Sequence, residues 1–174
     1  LKELSVDERD FTEMIREMGF RLKDIAAITP ADVIFESRAI DMRRIRSKRG
    51  HKRPLPLSPR AWSILSRRAR GKGKTARLFP FTRSHVRHAF QRACARLGIR
   101  DLWLYDLKST FVTEKFREGW PEKIIQEFTG NKTPGTFRRY QRPTDDDLRR
   151  FIGAKRRRSG NKRRGRLQET PVTY

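Results

Sequence analysis

Four times along this chain a helix-starting residue, an apolar stripe at helical spacing and a glycine stop follow one another, which leaves room for little but a mainly helical domain. Ser5 with Glu8 reads as a capping box for a helix that sets Phe11, Met14, Ile15 and Met18 on one face and stops at Gly19. Ser58-Pro59 has the chemistry of a cap and first helical residue, followed by Ala61, Trp62 and Leu65 inward, until GKGK at 71–74 breaks the pattern as an exposed basic loop. Thr82 or Ser84 can cap the clearest amphipathic helix, with Val86, Ala89, Phe90, Ala93, Cys94 and Leu97 inward and Gly98 as the stop. Pro121 starts another, with Ile124, Ile125 and Phe128 buried and Gly130 closing it. Shorter helical stretches are expected over Leu22–Ala27 and from Asp106, as a cap, toward Glu118, with Leu107, Phe111 and Phe116 inward. Thr133-Pro134 opens one more, and Thr144 the last, where Asp145, Asp146 and Asp147 suit the positive end of a helix dipole. The exception is 33–57, where VIFE, AIDMRRI and KRPLPL, with SKRGH as a turn, read as strands. The expected class is α+β, mainly helical, with a small three-stranded antiparallel sheet.

Charge narrows the partners. The 174 residues carry 43 Lys plus Arg against 20 Asp plus Glu, a net charge of +23. Nucleic acid is the natural counterpart, because each neutralised phosphate releases condensed counterions. No segment approaches the ~18 apolar residues of a spanning helix, and no secretory leader is visible, so no membrane partner is expected. Cys94 is the only cysteine, which fits a reducing cytoplasm and excludes an internal disulfide. His85 and His88 sit three apart on one helix, but with no third ligand in view no metal is expected. After Gly153, AKRRRSGNKRRGR holds eight basic and no acidic residues, and reads as a flexible tail over 154–174 beside a domain over 1–153. Removing those eight charges from +23 leaves +15, so the folded part is itself basic.

One octapeptide, TFRRYQRP at 136–143, sets Tyr140 among Arg138, Arg139 and Arg142. Guanidiniums favour a phenolate and bind phosphate oxygens, an arrangement suited to attack on phosphorus. The same residues also fit a solvated helix end. Three further segments alter the balance. MGFRLKDI (18–25), RSKRGHKRPLPLS (46–58), LYDLKSTFVT (104–113) and FTGNKTPGTFRRYQRP (128–143) occur in the order of the boxes of tyrosine recombinases, the phage-integrase family, which the chain resembles over about residues 5–152. They are similar, respectively, to the T-G-hydrophobic-R-x-x-E box, the strand-turn-strand with a turn lysine, the H-D-L-R-H-T-F-A-T box, and L-G-H-x-x-x-x-T-T-x-x-Y. Asn131 and Tyr140 keep the family's nine-residue step.

The resemblance implies the recombinase catalytic fold and a site made of Arg21, Lys48, Tyr105, Lys108, Asn131 and Tyr140, with Asp24 in the supporting acidic position. Tyr105 stands where the family has histidine, Lys108 where it has arginine, and Asn131 where it has histidine or tryptophan. Divergent integrases, such as those of archaeal viruses and plasmids, carry tyrosine at the first of these. Lysine offers a point charge where arginine offers a planar fork, so weakened catalysis is implied. In the family's reaction the tyrosine takes the 3′-phosphate and frees a 5′-hydroxyl, which needs neither ATP, nor a metal, nor any other cofactor. Arg21 and Lys108 would hold the phosphate, Tyr105 or Asn131 would add hydrogen bonds, and Lys48 would protonate the leaving oxygen.

Double-stranded DNA is then the partner, within the cytoplasm and its nucleoid. Arg83, Arg87, Arg92 and Arg96, on the helix face opposite the apolar stripe, are candidate DNA contacts or a merely solvated face, and Lys72 and Lys74 candidate backbone contacts. Family architecture implies a missing N-terminal DNA-clamping domain, a monomer in solution and a homotetramer on DNA for the full-length protein. A recombinase-derived DNA-binding protein with lost or weakened cleavage is the alternative.

Overall fold

The structure is a computed structural model, and it describes residues 2–43, 45 and 54–130. Ser5 caps α1 (Val6–Met18): its hydroxyl accepts the Glu8 N–H while the Glu8 carboxylate accepts the Ser5 N–H at 3.0 Å. Phe11, Met14, Ile15 and Met18 are all buried on the α1 face the spacing predicts. Gly19 ends the helix in the left-handed region, φ 62°, its N–H bonded to the Ile15 carbonyl at 2.8 Å. A short α2 (Leu22–Ile25) and a 3₁₀ turn (Pro30–Asp32) lead into the sheet.

The sheet is antiparallel, in the order β1 (Val33–Ile34), β2 (Ala39–Ile40) and β3 (Leu55–Pro56). Val33 faces Ile40, which in turn faces Leu55. These strands are much shorter than the alternating runs that predict them. The SKRGH turn lies outside the described residues.

Four helices follow: α3 (Pro59–Ala69), α4 (Arg83–Arg96), α5 (Asp106–Arg117) and α6 (Glu122–Thr129). Ser58 caps α3 and Thr82, rather than Ser84, caps α4. One core gathers α1, α3, α4 and the sheet around Phe11, Ile40, Leu65, Phe79 and Phe90. A smaller one joins α5 and α6 through Phe111, Val112 and Ile125, with Trp120 edge-on to Phe128 at 5.7 Å.

Some expectations fail for local reasons. Leu97 is 53 % exposed, because α4 ends at Arg96 and the helical period no longer positions the next residue. Asp106 is not the cap of α5: Tyr105 holds that position, and the Asp106 carboxylate accepts the Trp103 N–H at 2.7 Å. Trp62 is half-buried rather than buried.

Gly19 also fixes where α5 lies. A Cβ there would stand 2.4 Å from Cδ1 of Phe111. Left-handed backbone and overpacking together make Gly19→Ala cost about 2–4 kcal/mol. Urea unfolding checks this; a loss under about 1 kcal/mol would mean that α5 can move aside.

Candidate active site

Arg21 follows the glycine stop of α1 and stands at the N-terminal boundary of α2, with extended backbone, φ −75° and ψ 148°. Its guanidinium donates to the Gly130 carbonyl, 109 residues away in sequence. Lys108, one turn into α5, is 1 % exposed, and its Nζ donates to the Thr129 carbonyl at 2.9 Å. Two cations from separate segments therefore meet at consecutive peptide carbonyls, at the C-terminal end of α6 where a helix dipole is negative. The glycine there, φ 66°, turns the chain out of the helix immediately before Asn131.

Arg21 also lines a cleft of about 480 Å³, together with Leu22, Lys23, Arg83, Ser84, Arg87 and Tyr105. Four of those seven residues are basic and none is acidic. The first turn of α4, with its outward N–H groups and positive dipole end, forms part of the wall, as in a site for an anion. Tyr105 is half-exposed there. Asp24, in the supporting position, is buried.

The four α4 arginines do not share one face. At ~100° per residue, Arg83 and Arg92 lie half a turn apart around the axis. Arg83 and Arg87 enter the cleft, whereas Arg96 is bound to the Glu3 side chain at 2.9 Å and to its carbonyl at 2.6 Å. Arg92 is exposed away from the cleft-lining pair, and Lys72 and Lys74 are exposed in the loop after α3. His85 stacks on Phe81 and its Nε2 lies 3.0 Å from the Glu8 carboxylate. Burial acts to raise the Glu8 carboxyl, but hydrogen bonds from Ser5 and the His85 contact outweigh it and hold the carboxyl below its ordinary 4.5. Lys48, Asn131 and Tyr140 lie outside the described residues.

Lys23 and Ser84 are cleft residues that sequence reasoning missed. The signal for Lys23 is its place inside the arginine box; Ser84 reads in the sequence only as a candidate cap.

The sequence pattern of the phage integrase family matches residues 1–147. The chain belongs to the phage integrase family. This integrase-family chain is 26 % identical over 159 residues to the tyrosine recombinase XerD of Corynebacterium glutamicum, covering 83 % of this chain and 51 % of that protein. In structure it is similar to XerA recombinase, with a TM-score of 0.64, 20 % identity, and 86 % and 63 % of the two chains covered. It is also similar to the Tn1549 transposon integrase in complex with transposon right end DNA, with a TM-score of 0.65, 17 % identity, and 84 % and 58 % covered. These likenesses show the tyrosine-recombinase fold, mainly helical with one small sheet. The chain spans about half the length of XerD.

Proposed function

We propose that the chain is the catalytic part of a site-specific DNA recombinase, which cleaves and rejoins duplex DNA through a 3′-phosphotyrosyl link at Tyr140. The observation that carries this is the convergence of Arg21 and Lys108 on the consecutive carbonyls of Thr129 and Gly130, beside a cleft walled by Arg83, Arg87 and Tyr105. In the reaction the Tyr140 oxygen bonds to phosphorus and the bond to the 5′-oxygen breaks. The phenolic proton passes to solvent, and the 5′-oxygen gains one from Lys48, which recovers its own from solvent. A 5′-hydroxyl of another strand then reverses the exchange, so the phosphodiester is conserved without ATP.

Arg21 supplies a planar fork to the non-bridging oxygens, and Lys108 a compact charge. An ammonium has three N–H donors, so a carbonyl and a phosphate oxygen can be served together. Tyr105 and Asn131 add hydrogen bonds. Arg83 and Arg87 hold the adjacent backbone, and Arg92 and Arg96 lie outside that contact in this assignment. Duplex DNA as the partner is supported by the +23 net charge and by the DNA complexes of the Tn1549 integrase. No described helix is long and apolar enough to cross a membrane. Assembly runs from a monomer in solution to a tetramer on DNA, in the cytoplasm.

The burial of Lys108 and its bond to Thr129 favour one competing reading, a DNA-binding descendant in which this cation only anchors α6. A nicked suicide duplex, made from DNA bordering the coding sequence, separates the two. Loss of the short strand after cleavage traps the intermediate, so a protein–DNA adduct stable to denaturant is expected. Tyr140→Phe removes it and leaves binding intact. Binding with no adduct from the unaltered chain establishes the non-cleaving descendant instead.

A further inference from the structure

The loop from Arg70 to Arg77, RGKGKTAR, carries four basic residues and no acidic one, and every residue in it is exposed. None of Arg70, Lys72, Lys74 and Arg77 forms an ion pair among the described residues, whereas Arg16, Arg43, Arg60, Arg67, Arg68, Arg96 and Lys115 all do. The nearest hold on these cations is a 3.4 Å contact from the Lys72 ammonium to the Arg77 carbonyl.

The two glycines differ in what they do for the fold. Gly71 has φ +70°, which accounts for it. Gly73 has no positive φ, and a Cβ built on it meets nothing within 4 Å. It opens a turn in which the Ala76 N–H bonds to its carbonyl at 3.0 Å, and that first turn position does not call for glycine. Neither backbone geometry nor packing explains it. What a missing side chain still provides is close approach of the backbone to a ligand.

The backbone ties this loop to the segment that follows α2, whose first residues line the cleft. The Ala31 N–H bonds to the Lys74 carbonyl at 3.1 Å and the Leu78 N–H to the Ile28 carbonyl at 2.9 Å, so 28–31 and 74–78 run side by side. One leads back to Lys23, the other on to Arg83. Lys74 and Arg83 are separated by nine residues, at most about 32 Å of chain. That is within one turn of duplex, ~34 Å.

We propose that the 70–77 loop grips the phosphate backbone of the same DNA duplex away from the scissile phosphate, with Lys72 and Lys74 neutralising phosphates and Gly73 letting the strand lie against the loop. This rests on duplex DNA being the substrate of the cleft. The loop then supplies affinity and register, with no part in the chemical step.

The test uses the full chain and a labelled duplex of about 30 base pairs, three helical turns. Lys72→Gln combined with Lys74→Gln should lower the slope of log affinity against log salt by about 1.8, since each phosphate contact contributes ~0.9. Over the decade from 1 M down to 0.1 M salt that slope amounts to a loss of affinity of about 60-fold. Gly73→Ala should weaken binding with no fall in melting temperature. On duplexes shortened from either end toward the nick, one truncation should make the unaltered and doubly substituted chains bind alike. Unchanged salt slope in the double variant overturns the proposal, even where Tyr140→Phe abolishes the adduct and upholds the recombinase reading. Absence of any adduct overturns that reading alone, because the binding measurements still report on the loop.

Discussion

Arg21→Ala is expected to slow formation of the covalent adduct by about 10²- to 10³-fold, the usual consequence of removing one fixed donor from a site where anionic charge develops. The cause is placement. Arg21 stands at the start of α2 with its guanidinium on the Gly130 carbonyl, in the wall of a cleft with three other basic side chains. DNA binding should change far less, by roughly one phosphate contact in the salt slope. Stability should also be nearly unaffected, since Arg21 is only partly buried and the carbonyl it releases sits at a helix end that water can reach. Arg21→Lys keeps the charge and loses the fork, and belongs between the two. Arg83→Ala should do the reverse, lowering affinity while the saturated rate holds. Single-turnover adduct formation at saturating protein separates these effects, and an Arg21→Ala rate within threefold of the unaltered chain would remove Arg21 from the reaction.

Helix boundaries were legible because capping is local chemistry. Ser5 and Glu8 satisfy each other's backbone N–H groups within one turn, and no distant residue is needed to decide the matter. Where a neighbour's backbone decides, sequence reading slipped. Tyr105 already has helical angles, φ −69° and ψ −24°, which moves Asp106 inside α5 and turns its carboxylate back to Trp103. The family resemblance named Arg21 and Lys108 for one site, and in the structure both side chains reach the end of α6. Burial of Lys108 was not legible, because lysine is almost never fully buried unless paired, and its partner is a carbonyl 21 residues away. The sequence reading put the four α4 arginines on one face, although their spacing divides them, and the Glu3 contact that occupies Arg96 spans 93 residues.

The knot between α1 and α3 was invisible for the same reason, and it carries the largest stability effect expected in the chain. Asp10 is 2 % exposed and accepts from Arg67 at 2.8 Å and from Nε of Arg68 at 2.8 Å. The Arg68 side chain is itself buried; it reaches Asp7 and the Leu78 carbonyl, and lies over the Phe79 ring at 4.7 Å. Asp10→Ala leaves the Arg68 charge in the interior without its buried counterion. Breaking such a pair from one side costs about 3–5 kcal/mol, a large share of the 5–15 kcal/mol that holds a domain together. Asp7 is the contrasting case: it is mostly exposed, so Asp7→Ala should cost under about 1 kcal/mol. Urea unfolding of the two variants decides, and similar losses for both would show that Arg68 is satisfied by solvent instead. Because Asp10 lies eight residues before Met18 on α1, about 12 Å along the axis, its loss should spare the geometry at Arg21. In the cold, where the folded fraction stays high, Asp10→Ala should therefore form adduct at the unaltered rate per folded molecule, while Arg21→Ala remains slow at every temperature.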